Sequence, residues 1–302
     1  RTKGWVLANA NLTITGNSWG TGSDANYYDI AILAGTNATY YTDLVALGAA
    51  NNGAVIEDQR STPAVLNRAF VDGSSTTGTE NGSPIDPYTT IAPAIARIVA
   101  GGTIEVAAGT YTPGAFSIAK SLILNGADEA TVILDASAVT TDRFIQVTAA
   151  NVALKNMTID ASIPHYTSWP PSKPYYGVTV AGPTRANAVI ENVTLTAFGK
   201  SGFDIHGAKD ITLKNVTAED NGGAGIFFTD VDGADIENVT TGNNQWGGIG
   251  FSSWGKYYTA GINDVVFTGT NTFGENSESG NVAGMYFEMY EEAATSTFYE
   301  IT

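Results

Sequence analysis

Between residues 188 and 242 the apolar positions recur with a long, regular period. The stretches AVIENVTLT, ITLKNVTAE and ADIENVTTG bring Asn192, Asn215 and Asn238 into step at intervals of 23 residues. Ile190, Leu213 and Ile236 keep the same phase, as do Val193, Val216 and Val239. Gly202, Gly225 and Gly248 form another phase-locked set, each followed by an apolar residue, Phe203, Ile226 or Ile249. Within each unit apolar and polar residues alternate, which is the period of a strand and not of a helix. So short a unit cannot bury its apolar face alone. Stacked one strand spacing apart, about 4.8 Å, such units bury a continuous core and pair every backbone. The pattern predicts a coil of parallel strands.

Weaker copies extend the pattern in both directions. ANVALKNMTIDA carries Asn156, which lies 36 residues before Asn192; removing one 23-residue turn leaves 13 extra residues. These fall in the Pro- and aromatic-rich stretch SIPHYTSWPPSKPYYG, an insertion over about 162–176. SLILNGADEATVILDAS and GGTIEVAAGTYTPGAFSI read as earlier coils, and IGFSSW and NDVVFTGTNTF as later ones. Ahead of them Ile91, Ala94, Ile95 and Ile98 follow helical spacing, with Pro87 upstream and Gly101-Gly102 as the stop. A short amphipathic helix is expected at about 88–100, covering the open end of the coil.

The cap-like helix, the run GGTIEVAAGTY and the Asn-Val-Thr coils resemble the pectate-lyase-like superfamily over roughly residues 70–280. That resemblance implies an all-β, right-handed parallel β-helix with a short N-terminal capping helix and flanking β segments. It implies no single chemistry, because the superfamily includes lyases, hydrolases, epimerases, phage tailspikes, adhesins and surface-layer modules. The Asn-Thr-Asp, Asp-Asp, Gly-His-Gly and Arg-Ile-Lys motifs of polygalacturonase-like hydrolases are absent, the nearest being Ile205-His206-Gly207. The Trp-Ile-Asp-His and Arg-x-Pro-x-x-Arg patterns of the main pectate lyases are absent too.

A longer repeat sets LTITGNSWG, from Leu12, beside VVFTGTNTFG, from Val265, at an offset of 253 residues. One reading takes residues 1–62 as a β segment resembling the last coils of a preceding module, with the β-helix domain at 63–302. The other takes both stretches as ordinary late coils. The start at Arg1, without Met or a signal-like stretch, reads as a mature or trimmed form.

Composition narrows the function. Thirty acidic residues against 14 basic ones give a formal charge of −16, and the basic residues are scattered. Such a chain does not neutralise phosphates, which excludes nucleic acid as a partner. With no Cys and only two His, His165 and His206, thiolate chemistry and multi-His metal centres are excluded. No apolar run reaches the ~20 residues of a membrane span.

Candidate sites follow from residue type and spacing. His165, Tyr166, Trp169, Tyr175 and Tyr176 in the insertion, with Trp246 and Trp254 further on, are candidates for stacking on sugar rings or docking a partner. The alternative for the insertion is a loop that covers apolar surface. Asp230, Asp232 and Asp235 stand within six residues around a Gly turn. They are candidate oxygen ligands for calcium, or solvated turn residues. Glu275, Glu278, Glu288, Glu291 and Glu292 form a second acidic group, suited to a calcium-linked junction. Lys200, Asp204 and His206 are the catalytic candidates of a β-helix lyase, with Asp220 as a neighbour one coil on. Of seven Asn-x-Ser/Thr sequons, Asn156, Asn192, Asn215 and Asn238 are expected to form a buried Asn ladder. Asn11, Asn37 and Asn81 remain as glycosylation candidates.

The expected function is an extracellular, non-catalytic structural module of a cell-surface, adhesin, surface-layer or filament-forming protein, pairing end to end or in tandem with copies of itself. No cofactor is required, and calcium is the one ion expected. The alternatives are a calcium-dependent polysaccharide lyase, or another carbohydrate-active β-helix enzyme, and a glycan-binding module.

Overall fold

The computed structural model describes residues 3–20, 26–163, 172–253, 261–274, 285–289 and 299–301. In chain order the elements begin with β1 (Trp5–Leu7), β2 (Ile30–Ile32), α1 (Leu44–Ala49), β3 (Ile56–Asp58), β4 (Val65–Val71), α2 (Ile91–Arg97) and β5 (Ile98–Val106). There follow β6 (Gly109–Tyr111), β7 (Phe116–Ile118), β8 (Leu122–Gly126), β9 (Val132–Asp135), β10 (Arg143–Val147), β11 (Val152–Asp160) and β12 (Tyr176–Ala181). The repeat region holds β13 (Val189–Thr196), β14 (Phe203–His206), β15 (Lys209–Glu219), β16 (Ala224–Thr229), β17 (Asp232–Glu237), β18 (Thr240–Gly242) and β19 (Gly247–Ser253). The last strands are β20 (Asn263–Thr268), β21 (Thr272–Phe273), β22 (Met285–Met289) and β23 (Tyr299–Ile301). Among the described residues no helix is long and apolar enough to cross a membrane.

Contacts divide the chain into two units, residues 1–109 with 122–125, and 110–121 with 126–302. The division falls later than the boundary at 62 that the sequence led us to expect. Pairing explains the difference: β3 bonds to β4, β4 to β5, and α1 and α2 both pack on β4. In the first unit β1, β2 and β3 are parallel, with Trp5 beside Ile30 and Ile30 beside Ile56. Leu7, Ile30, Ile32 and Ile56 stack between these rungs, closed by Ile14, Leu44 and Ala54. Residues 1–62 therefore already contain parallel rungs. Gly16 and Gly269, aligned in the long repeat, both adopt a positive φ, 70° and 68°. Helix α2 falls within the expected span; it buries Ile91 and Ala94 and ends where Ile98 turns extended.

The second unit is built of parallel strands in two sheets. One runs β11-β13-β15-β17-β20-β23, with β9 beside β11, β18 beside β15 and β21 beside β18; the other runs β7-β10-β12-β14-β16-β19-β22. The repeat sets the register directly. Leu213 stands beside Ile190 and Ile236 beside Leu213; Ile226 stands beside Phe203 and Ile249 beside Ile226. The longer step from Leu154 to Ile190 carries the insertion, which leaves the chain between β11 and β12. Core rows are fully buried: Val180, Ile205, Phe228 and Phe251 form one, in which the last two rings stack 5.3 Å apart and nearly parallel.

Two asparagine ladders bind the rungs. Asn192 donates its amide to Asn156 at 2.8 Å, Asn215 to Asn192 at 2.8 Å, and Asn238 to Asn215 at 3.1 Å. All four have φ between 50° and 57°, a left-handed corner that Asn tolerates better than most residues. The ladder forms where expected, but it is not buried: Asn215 is exposed and the other three are half-exposed. The buried ladder lies elsewhere. Asn221 and Asn244 are both fully buried; Asn221 Nδ2 donates to Asn244 Oδ1 at 2.8 Å, and Asn221 Oδ1 accepts the Phe198 amide at 3.1 Å. This ladder explains the phase-locked glycines. A Cβ on Gly225 would stand 2.8 Å from Asn244 Nδ2 and 2.9 Å from the Gly248 carbonyl, so the glycine row makes room for the amides.

Candidate functional site

Strand alternation turns a polar face outward from the second sheet. Gln146, Thr179, Asp204 and Phe227 form one outward row, and Ala181, His206, Thr229 and Ser252 the next. Asp204 and His206, two apart on β14, share that face, and Asp204 Oδ1 lies 2.7 Å from His206 Nε2. Asp204 is buried to 6% exposure. Beside His206 the hydroxyls of Thr229 and Ser252 are buried and find no hydrogen-bond partner among the described residues.

Lys200 reaches this region through the tyrosines. Its ammonium lies 4.8 Å from the centre of the Tyr175 ring and 5.7 Å from that of Tyr176, and the two rings meet edge to face. Burial, then the Asp204 carboxylate, push the Tyr176 hydroxyl up to about 12. The backbone amides of Tyr175 and Tyr176 both donate to the Asp142 carbonyl, and Lys173 pairs with the Asp142 carboxylate at 2.7 Å. Lys200 is thus linked to Tyr176, whose hydroxyl feels the Asp204 carboxylate, and Asp204 in turn contacts His206. The Asp220 carboxylate accepts from Asn243 at 2.7 Å, at the corner that follows β15.

A corner row runs beside this face. The Lys200 amide bonds to the Tyr175 carbonyl, Gly223 to Lys200, and Trp246 to Gly223, one rung at a time. Tyr175, Lys200, Gly223 and Trp246 therefore line up along the direction of stacking. Three rungs separate the outer aromatics, a span of about 14 Å. Trp246 is 43% exposed, the most open of the aromatic candidates that can be placed. His165, Tyr166, Trp169 and Trp254, with Glu275, Glu278, Glu291 and Glu292, lie outside the described residues. Glu288 is placed only as a position in β22, beside Ser252. The sequence did not single out Thr229 and Ser252; their signal was the 23-residue interval from His206, read across the rungs.

The three aspartates proposed for calcium are separated. Asp230 is fully buried at the end of β16, Asp232 accepts Lys209 Nζ at 2.5 Å, and Asp235 is exposed. Asp235 shares a hollow of about 410 Å³ with Asp210 and Asp264. Among the described residues no group of three His, Asp or Glu is arranged to hold a metal. Of the sequons, Asn11 and Asn37 are exposed, while Asn81 is half-buried with its Oδ1 taken by the Ser83 amide. The side-chain nitrogens of Asn192, Asn215 and Asn238 are spent inside the ladder.

No curated protein matches the sequence. Among solved structures the chain is similar to ORF18 of Geobacillus virus E2, at 15% identity over 83% of this chain and 51% of that one, with a TM-score of 0.56. It thus spans about half the length of that protein. A rhamnogalacturonan lyase matches at 13% identity over 78% and 65% of the two chains, TM-score 0.49. Pectin methylesterase PemA from Erwinia chrysanthemi matches at 16% over 76% and 68%, TM-score 0.43. At such identities the likeness is one of fold. Residues 143–296, half of the chain, match the family described as right handed beta helix region. With its parallel rungs and asparagine ladders already in view, the chain belongs to the right-handed β-helix family.

Proposed function

We propose that this chain is a module of an extracellular surface or filament protein that holds a polysaccharide along its corner row. The observation that carries the reading is the line Tyr175, Lys200, Gly223, Trp246, which sets two aromatic rings and a cation along the stacking direction. Aromatic faces pack on the C–H faces of sugars, and a row parallel to the stack suits a linear polymer more than a compact ligand. The reading takes the module to be non-catalytic, with glycans and further copies of itself as partners and calcium as the one ion. Affinity electrophoresis through gels cast with neutral and uronic-acid polysaccharides tests it, with and without chelator. Retention that falls on Trp246→Ala and Tyr175→Ala is expected; no retention on any polymer refutes it. Electron microscopy under the same conditions tests self-association.

A second reading draws on the Asp204–His206 contact. A buried carboxylate that holds an imidazole is an acid–base pair. If it acts on a bound polysaccharide, products appear on incubation and vanish with His206→Ala. Unsaturated uronate products, lost with Lys200→Ala, would mark a lyase.

A further inference from the structure

The first unit holds a cavity of about 420 Å³ whose wall includes Trp19, Asp29, Asn52, Gly53, Arg68 and Phe70. These residues come from distant stretches of the chain, and none belongs to the corner row. Hydrogen bonds and ring contacts hold the cavity's polar and aromatic side chains in place. The Trp19 indole donates to the Asn51 carbonyl at 2.8 Å, and its ring meets Trp5 edge-on at 6.0 Å. Arg68 gives Nε and Nη2 to Glu105 Oε1, at 3.0 and 2.8 Å, and its guanidinium lies 5.2 Å from the centre of the Phe70 ring. Asp29 Oδ2 accepts the Val55 amide at 2.8 Å. Asn52 donates its side-chain amide to the Asn17 carbonyl at 2.7 Å. Gly53 lies at φ 77°, a left-handed conformation in which a side chain would be strained.

We propose that this cavity binds a neutral hexose unit of an oligosaccharide, with Trp19 as the stacking face and Asp29, Asn52 and Arg68 as partners for the ring hydroxyls. Three physical points support the assignment, and none of them rests on the corner-row reading. The volume lies within the range of small-ligand pockets, about 300–1,000 Å³. The aromatic face and the planar carboxylate, amide and guanidinium groups are fixed beforehand, so little order is lost on binding. The charge balance selects a neutral ligand. Glu105 already matches the Arg68 charge at 2.8 Å, and Asp29 adds a further negative group, so a uronate would face net repulsion.

The test is calorimetric titration of the intact chain with hexaoses of glucose, mannose and galactose, and with hexagalacturonate. At least one neutral hexaose binds, and hexagalacturonate binds about tenfold more weakly or worse. Trp19→Ala and Asp29→Asn each weaken binding about tenfold, whereas Lys214→Ala, in an exposed ion pair of the second unit, leaves it unchanged. Asp29→Asn separates lost binding from lost folding. Burial pushes the Asp29 carboxyl up, against the Val55 amide and Arg68. An acid whose folded pKa is raised costs stability as pH rises through that value. The asparagine variant is therefore more stable than the parent at neutral pH, and the difference vanishes in acid. The assignment is overturned by failure of all three neutral hexaoses, by binding that survives both cavity variants, by loss on Lys214→Ala, or by equal binding of hexagalacturonate. The corner-row reading stands or falls separately, on retention by polymers.

Discussion

Substituting Asn244→Ala is the sharpest probe of what holds the rungs together. Asn244 is fully buried, and its Oδ1 accepts from the Asn221 backbone amide at 3.1 Å and side-chain amide at 2.8 Å. Its own Nδ2 donates to the Ala218 carbonyl at 2.8 Å. Alanine removes all three bonds and strands partners that sit beyond the reach of water. A buried polar group left unsatisfied costs about 1–3 kcal/mol, and neighbours on one network relax together, so the loss should be about 3–5 kcal/mol. That is a large part of the ~5–15 kcal/mol that stabilises a typical domain. The control is Asn215→Ala in the outer ladder. It also breaks two side-chain hydrogen bonds, but Asn215 is exposed and water replaces them. With about 1 kcal/mol added for alanine in a left-handed corner, the control should lose about 1–2 kcal/mol. Urea unfolding followed by circular dichroism and tryptophan fluorescence measures both, provided the two probes coincide. Equal losses, or a larger loss in the outer ladder, would refute the claim that burial decides the strength of a rung bond.

Two further predictions concern protons. Burial pushes the Asp58 carboxyl up, but hydrogen bonds from the Arg60 side chain and backbone outweigh it, so the net shift is downward. The stability this pair supplies is complete above the ordinary aspartate value and is lost as pH falls through the lowered one. The gap between the parent and Asp58→Asn should thus be widest at neutral pH and close in strong acid, as read by thermal melts across that range. The Tyr176 hydroxyl, pushed up to about 12 by burial and then by the Asp204 carboxylate, should move down in Asp204→Asn while staying above an ordinary tyrosine, because burial is the larger cause. An unchanged titration by NMR would break the link between the tyrosine pair and the Asp204–His206 contact.

Much of the second unit was legible in the sequence because its rungs are near copies. Where Ile190, Leu213 and Ile236 recur at one interval, register follows by counting, and the structure pairs them so. The insertion was legible for the same reason, as an excess over the repeat. The first unit was harder. Its rungs, Trp5 to Ile30 to Ile56, carry no Asn-Val-Thr signature, and their apolar positions are too few to fix a period. The buried ladder was hidden because Asp220-Asn221 and Asn243-Asn244 look like solvated turns, and only the interval between them hints at stacking. The spread of Asp230, Asp232 and Asp235 shows the limit of spacing. A left-handed residue at Asp230, with φ 47°, redirects the chain between neighbours in sequence. The cavity of Trp19, Asp29, Asn52 and Arg68 had no local signal, since pairing over tens of residues assembles it.

The corner bonds from Lys200 to Tyr175, Gly223 to Lys200 and Trp246 to Gly223 all point along the stack, as do the amides of both ladders. Tension applied along that direction loads successive junctions in series, like links of a chain, whereas tension across it is shared by many in parallel. Pulled lengthwise, the second unit is therefore only as strong as its poorest junction, and adding coils adds reach without adding strength. Tension spread across the stack is instead shared by every coil it reaches, so there each added coil adds strength.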